Sequence, residues 1–123
     1  MAKILIAEDE QAVRELLAMA LRRRGHEVDA VVDGSEALGK LAAGRYDLLL
    51  TDIVMPVVDG IALSLRAARD NPAMRILMMT GYAAERQRAH NLDELVHDVV
   101  LKPFTMDEIG KAVDTALSGA KQL

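Results

Sequence analysis

Four short apolar runs of this sequence each lead into polar or ionisable side chains. These side chains are Glu8, Asp9 and Glu10 after the first run, Asp52 after the second, Thr80 after the third and Lys102 after the fourth. Taken singly, each has an ordinary explanation: Asp9 could cap a helix, Thr80 could belong to a turn, and Lys102 could be solvated. The repetition after four separate apolar runs is harder to explain by accident and predicts a functional site.

The types of these residues are suited to phosphoryl transfer. Glu8, Asp9 and Asp52 would bring carboxylates close together, which is costly unless a cation or a proton intervenes. A hard cation such as Mg²⁺, or Mn²⁺ in its place, prefers such oxygen ligands. A free carboxylate can attack phosphorus and form an aspartyl phosphate. A lysine and a hydroxyl beside it would supply the positioning and charge neutralisation that such catalysis needs.

Alternating strand and helix patterns position these residues. Strands are predicted at Ile4–Ala7, Glu27–Val32, Leu48–Asp52, Arg75–Met79 and Asp98–Leu101. Between and after them, helical spacing of apolar residues predicts five helices, with buried stripes such as Val13, Leu16, Leu17, Ala20 and Leu21, or Ile61, Leu65 and Ala68. Ser35 is the predicted N-cap of the second helix, which continues to about Ala43, and the fourth is short, from Ala84 to about Leu92. The last helix begins after Thr105, with Glu108 completing a capping box.

The predicted fold class is α/β, a doubly wound (βα)₅ domain with a five-stranded parallel sheet. Leu48 to Asp52 does not alternate polar with apolar residues, so this strand should be covered on both faces. Residues 1–119 form the single predicted domain and 120–123 a tail. In open α/β sheets, ligands bind beyond the carboxyl ends of the strands, where the polar residues above should meet.

Composition narrows the class of protein. The chain of 123 residues has no cysteine, which excludes a disulfide framework and a thiolate site, and its net charge of −4 disfavours a nucleic-acid binder. The basic run Arg22–Arg24 suits the C-terminal turn of a helix. No apolar run has membrane-spanning length and no signal peptide is recognisable, so we expect a soluble cytoplasmic protein.

Five segments, in order and at matching spacing, resemble the CheY-like receiver domains of response regulators over the whole chain. They are residues 4–10, residues 50–56, Asp59–Gly60, Met79–Gly81 and Leu101–Phe104. The resemblance implies flavodoxin-like strand order 2-1-3-4-5, and no enzymatic activity beyond self-phosphorylation and slow dephosphorylation. The segments 49–56 and 80–84 further resemble single-domain receivers that prime an ATP-dependent protease.

The resemblance also implies a role for each site residue. Asp52 would accept phosphate from a histidine kinase or a histidine phosphotransfer protein. Asp9, Glu8, Asp52 and the backbone carbonyl of Val54 would hold the metal, Asp9 directly and Glu8 either directly or through a water molecule. Thr80 and Lys102 would bind the phosphoryl group after transfer, and the Lys102–Pro103 peptide bond would be cis.

Two positions depart from the family pattern. Val99 stands where many members carry a tyrosine or phenylalanine whose ring reports the switch. Tyr82 either substitutes for that ring or shields the rim of the site. Val54, two residues after the acceptor, cannot hold an attacking water by hydrogen bonding, so Val54 and Tyr82 are candidates for setting phosphate lifetime.

The output is expected to be a protein-binding surface formed by the predicted fourth helix, the fifth strand and the last helix. Arg86, Arg88 and Phe104 are its candidate contacts; otherwise the arginines are solvated and Phe104 packs the loop. Met19 lies off the buried stripe of the first helix and is a candidate kinase-docking residue or a stray surface methionine. No direct binding to nucleic acid and no membrane insertion are expected.

Three other classes of protein share parts of this pattern. A phosphorylation-independent interaction module with the same fold is the main alternative, although such modules can lose the acidic, threonine and lysine set. A haloacid-dehalogenase-type phosphohydrolase would need a second aspartate at the position of Val54. A flavin binder would usually present more aromatic residues than the two tyrosines and one phenylalanine of this chain.

Overall fold

The computed structural model describes residues 2–81 and 96–118. Its strands are β1 (Lys3–Ala7), β2 (Glu27–Val31), β3 (Leu48–Asp52), β4 (Arg75–Thr80) and β5 (Asp98–Leu101). Its helices are α1 (Gln11–Arg23), α2 (Gly34–Ala43), α3 (Gly60–Asp70) and, as α4, Met106–Leu117. The helix predicted from Ala84 to about Leu92 lies outside the described residues.

All four strand pairings are parallel, and the strand order is β2-β1-β3-β4-β5. The α/β fold class and the 2-1-3-4-5 order are therefore confirmed. Every residue of β3 is buried, as its unbroken apolar run predicts for a central strand covered on both faces. The predicted strand boundaries agree with the structure to within one residue.

Side chains of the central strands divide between two helix layers. Leu48 and Leu50 of β3 pack into the core cluster that includes residues of α1 and α4. Leu49 points to the opposite face and packs among residues of α2 and α3. A third cluster joins Ile53, Met78 and Val99 near the β5 edge. This two-sided packing holds the carboxyl ends of β1, β3 and β4 side by side.

Helix ends follow local capping chemistry, with one correction. The capping box of α4 is present: Thr105 Oγ1 accepts from the Glu108 N–H at 3.0 Å, and Glu108 Oε1 accepts from the Thr105 N–H at 2.8 Å. The prediction of Ser35 as N-cap of α2 is wrong. Asp33 caps this helix by accepting from the Glu36 N–H at 2.9 Å, since its carboxylate is placed to reach the N3 position.

The predicted buried stripes are displaced in two helices. In α1, Leu17, Ala18 and Leu21 are buried, whereas Leu16 is 44% exposed. In α3, Leu63, Ser64 and Ala67 are buried, whereas Leu65 is 44% exposed. Both helices keep the predicted period but are rotated about their axes, because the sheet surface that they cover decides which face turns inward.

The basic run Arg22–Arg24 does end a helix, as predicted. Arg22 and Arg23 lie in the last turn of α1, and Arg24 is its C-cap. The Arg24 guanidinium donates to Asp114 of α4 at 2.6 Å. Within the described residues, no helix combines the length and the apolar character needed to cross a membrane.

Candidate functional site

Two carboxylates come from the loop that joins β1 to α1. Glu8 follows the last residue of β1 and its N–H donates to the Val31 carbonyl at 3.1 Å, so the strand ladder continues into the loop. The Glu8 side chain is only 1% exposed, whereas Asp9 is exposed. Glu8 Oε1 accepts from the Glu10 N–H at 3.3 Å, which folds the loop back on itself.

The third carboxylate is Asp52, the last residue of β3, which is 7% exposed. Carboxylate oxygens of Glu8, Asp9 and Asp52 lie within 4.8 Å of one another. Three converging carboxylates are a fitting donor set for a hard divalent cation. The three predicted acidic residues are thus brought together at one edge of the sheet.

Lys102 reaches the same point from the end of β5. Its Nζ lies 2.8 Å from Asp52 Oδ2 and 3.3 Å from Glu8 Oε2. The Lys102 N–H donates to the Thr80 carbonyl at 2.8 Å, which extends the pairing of β4 and β5 past the sheet edge. The Lys102–Pro103 peptide bond is cis. One ammonium group therefore bridges two of the three carboxylates.

The electrostatics of the site reflect this crowding. Burial, followed by a hydrogen bond to Asp52 and repulsion from it, raises the pKa of Glu8 to about 7, with Lys102 opposing the rise. Burial lowers the pKa of Lys102, but its hydrogen bond with Asp52 and the attraction of both carboxylates outweigh this, so the net change is upward. The lysine stays charged, and the raised pKa brings Glu8 into the neutral pH range.

We expect Glu8 to make metal-free stability fall as pH rises. A carboxyl whose pKa is raised from 4.5 to about 7 on folding stabilises the protein below about pH 4.5 and loses that contribution as pH rises through about 7. In metal-free buffer, the unfolding free energy of wild type should therefore decline between about pH 5 and about pH 8 by about 2 kcal/mol more than that of Glu8→Gln. Urea unfolding at a series of pH values measures this difference.

The exposed Glu15→Gln variant serves as the control for removing a carboxylate. Its pH dependence should follow that of wild type. A Glu8→Gln profile parallel to wild type would contradict the assignment of the titrating group.

The remaining predicted site residues occupy distinct places around Asp52. Thr80, at the end of β4, is fully buried. Val54 follows Asp52 by two residues and is 47% exposed. Further along the same loop, Val57 has a positive φ of 70° and is 83% exposed. Val54 and Val57 are thus exposed apolar side chains in the loop that follows Asp52.

Val99 is an interior residue in this structure. It is 2% exposed and packs in the cluster that contains Ile53 and Met78.

The other predicted switch residue, Tyr82, lies outside the described residues, as do Arg86 and Arg88. Of the surface candidates that are described, Met19 is 43% exposed on α1, whereas Phe104 is partly buried against the core.

Two residues near the site were given no role in the sequence analysis, although Gly60 lies in one of the matching segments. Gly60 begins α3 so close to Asp52 that an added Cβ would collide with the Asp52 carbonyl oxygen. Arg14 of α1 donates from Nη1 to the Glu8 carbonyl at 3.0 Å and to the Asp9 carbonyl at 3.5 Å. A cation near a helix N-terminus is unfavourable with respect to the helix dipole. This unusual position is the signal by which the sequence could have identified Arg14.

Comparisons with known proteins agree with the geometry. Residues 4–114 match the family model of the response regulator receiver domain. The chain therefore belongs to the response regulator receiver domain family. This family serves two-component systems and is not a family of classical enzymes.

Among individual relatives, the chain is 35% identical to the response regulator receiver protein CpdR of Brucella abortus, over 98% of this chain and 100% of that protein. It is 36% identical to the transcriptional regulatory protein ResD of Bacillus subtilis, over 98% of this chain and 50% of ResD. It also resembles TcrA of Mycobacterium tuberculosis at 37% identity, over 87% of this chain and 42% of TcrA. The chain thus spans about half the length of these last two relatives.

Solved structures show the same architecture. The response regulator TrrA of Thermotoga maritima, crystallised in complex with Mg²⁺-BeF, superposes with a TM-score of 0.86 at 32% identity, covering 94% of this chain and 99% of that one. The CheY4 chemotaxis protein of Vibrio cholerae gives a TM-score of 0.85 at 26% identity, over 94% of this chain and 98% of that one.

Proposed function

We propose that Asp52 accepts a phosphoryl group from a histidine kinase or a histidine phosphotransfer protein, in a reaction that depends on Mg²⁺, and that phosphorylation switches protein binding. This proposal rests mainly on one observation. The Asp52 carboxylate stands where the Glu8 and Asp9 carboxylates and the Lys102 ammonium converge. A nucleophilic oxygen, a cation-binding acidic pair and a fixed positive charge are the parts that phosphoryl transfer needs.

In the proposed step, a carboxylate oxygen of Asp52 attacks the phosphorus of a phosphohistidine. The new P–O bond forms as the P–N bond breaks, and the imidazole nitrogen leaves with the electron pair. Lys102, already 2.8 Å from Asp52 Oδ2, offsets the negative charge that the product carries. Because Asp52 is mostly buried, this electrostatic interaction is stronger than the same interaction would be between groups in bulk water.

Asp9, Glu8, Asp52 and the backbone carbonyl of Val54 are the residues we propose to hold Mg²⁺. When bound, this ion would supply charge neutralisation between the carboxylates and the incoming phosphoryl oxygens. Glu8 must lose its proton to act as a ligand, so metal binding should strengthen as pH rises through the raised pKa of about 7. The Mg²⁺-BeF complex of TrrA supports the assignment by analogy.

The signal is proposed to leave through the surfaces next to Thr80 and Lys102. A phosphoryl group adds about −1.5 to −2 charge and new acceptor oxygens, and Thr80 and Lys102 are the residues we propose to bind it. Because the Lys102 backbone pairs with Thr80, movement at either residue is passed to β5 and the start of α4. The bound partner is proposed to be an ATP-dependent protease, for which this chain acts as an adaptor.

A phosphorylation-independent interaction module is the second candidate. The two proposals are separated by a pull-down from cell lysate with wild type and Asp52→Ala, each with and without Mg²⁺ and phosphoramidate. Our proposal expects the captured set of proteins to change with the phosphodonor for wild type only. Identical captures in all four arms would favour the second candidate.

A further inference from the structure

Arg14 ties the acidic loop to α1 through backbone atoms. Its guanidinium Nη1 lies 3.0 Å from the Glu8 carbonyl oxygen and 3.5 Å from the Asp9 carbonyl oxygen. The side chain is half-buried, so its charge is screened less than that of a fully exposed arginine. Its place near the N-terminus of α1 is unfavourable for a cation with respect to the helix dipole, and the two carbonyl contacts offset this cost.

The two carbonyls belong to the peptide groups on either side of Asp9. Those two peptide planes set the backbone dihedral angles of Asp9 and therefore the direction in which its side chain leaves the chain. Asp9 is exposed and lies in a loop, and the second of these planes is also held by the Glu10 N–H, which donates to Glu8 Oε1 at 3.3 Å. Holding both planes aims the Asp9 carboxylate at Glu8 and Asp52, although like charges at this range repel one another.

We infer that Arg14 is a positioning residue that orients Asp9 for Mg²⁺ binding. The inference deepens the proposed metal site and rests on it. Both contacts come from Nη1, whose two N–H bonds are fixed in the plane of the guanidinium, whereas lysine is a compact point charge on a flexible stem. Among the described residues, the hydrogen bonds of the Arg14 side chain are with the loop carbonyls and not with a carboxylate, so its effect on Mg²⁺ would act through the loop.

The test is the Mg²⁺ affinity of the full chain, measured by isothermal titration calorimetry without phosphodonor. Arg14→Ala is expected to weaken Mg²⁺ binding about tenfold, as loss of an outer-sphere partner does in other metal sites. Arg14→Lys is expected to lose at least about fivefold in affinity, because it keeps the charge without the fixed N–H directions of the guanidinium. Arg23→Ala, an exposed arginine in the last turn of the same helix, should bind Mg²⁺ like wild type.

A double-mutant cycle with Asp9→Asn separates positioning from a general structural effect. If Arg14 acts through Asp9, removing Arg14 in the Asp9→Asn background should cost less than about twofold further. An equal loss in both backgrounds would overturn the inference, as would Arg14 variants with wild-type affinity. Thermal unfolding without metal identifies any variant that fails to fold. If Arg14→Ala does not fold, the Mg²⁺ affinity of Arg14→Lys is compared with that of wild type instead.

Phosphorylation kinetics provide a second readout. With phosphoramidate as donor, Arg14→Ala should raise the half-saturating Mg²⁺ concentration about tenfold while the maximal rate at saturating Mg²⁺ stays within about twofold of wild type. A lowered maximal rate with unchanged half-saturation contradicts a positioning role. Wild type that binds no Mg²⁺ would overturn the proposed metal site as well, so the two failures are distinguishable.

Discussion

Replacing Asp52 by Asn is expected to abolish incorporation of a phosphoryl group from phosphoramidate in the presence of Mg²⁺. Intact mass should show one added HPO₃ on wild type and none on the variant, a loss of at least roughly a thousandfold in rate. An amide lacks the anionic oxygen that attacks phosphorus. The variant should remain folded, because Asn keeps the shape of Asp and relieves the repulsion that Asp52 exerts on Glu8.

Asp33→Asn is the matched control for the exchange of a carboxylate for an amide. Asp33 caps α2, and Asn is an equally good N-cap, so both folding and phosphorylation should match wild type. A phosphoryl group that persists on Asp52→Asn would place the acceptor elsewhere, and peptide mapping would then locate it.

Replacing Gly60 by Ala is expected to destabilise the fold and to disturb the site together. The added Cβ would collide with the Asp52 carbonyl oxygen and lie 2.8 Å from Ile53 Cα, and both neighbours are backbone atoms that cannot turn aside. The Gly60 N–H also donates to the Ile53 carbonyl at 2.7 Å, so α3 cannot move away without losing this bond. We expect a loss of about 2–3 kcal/mol in unfolding free energy.

This substitution has two opposing effects on the unfolding free energy, and the larger of them decides whether the protein becomes more or less stable. Alanine gains about 0.5–1 kcal/mol over glycine within a helix, which is smaller than the expected cost of the collision. Gly39→Ala isolates the gain, since Gly39 lies in α2 and its added Cβ meets nothing within 4 Å. Urea unfolding should therefore move in opposite directions for the two variants.

The phosphorylation rate of Gly60→Ala provides the functional half of the test. Displacement of the Asp52 backbone should lower the rate by about tenfold or more, because small misplacements of a reacting group are costly. Wild-type stability together with a wild-type rate would show that the close approach of Gly60 to Asp52 has no consequence.

Much of the fold could be predicted from local patterns. The unbroken apolar run of β3 indicated a strand buried on both faces, and Thr105 with Glu108 indicated the start of α4, because both signals depend only on neighbouring residues. Local patterns did not show which face of α1 and which face of α3 is buried against the sheet. Leu16 and Leu65 fit an apolar stripe as well as their buried neighbours do, and only contact with the sheet separates the two choices.

By itself the sequence determined which residue types stand at the strand ends, and therefore the acidic cluster, the lysine and the chemistry that they favour. Only the tertiary structure decided which of these charged groups form ion pairs with one another. Lys102 lies 94 residues from Glu8 and 50 from Asp52 along the chain, yet its ammonium contacts both. Such distances are set by the packing of β1, β3 and β5. Local patterns carry no information about contacts between segments that meet only when the sheet has formed.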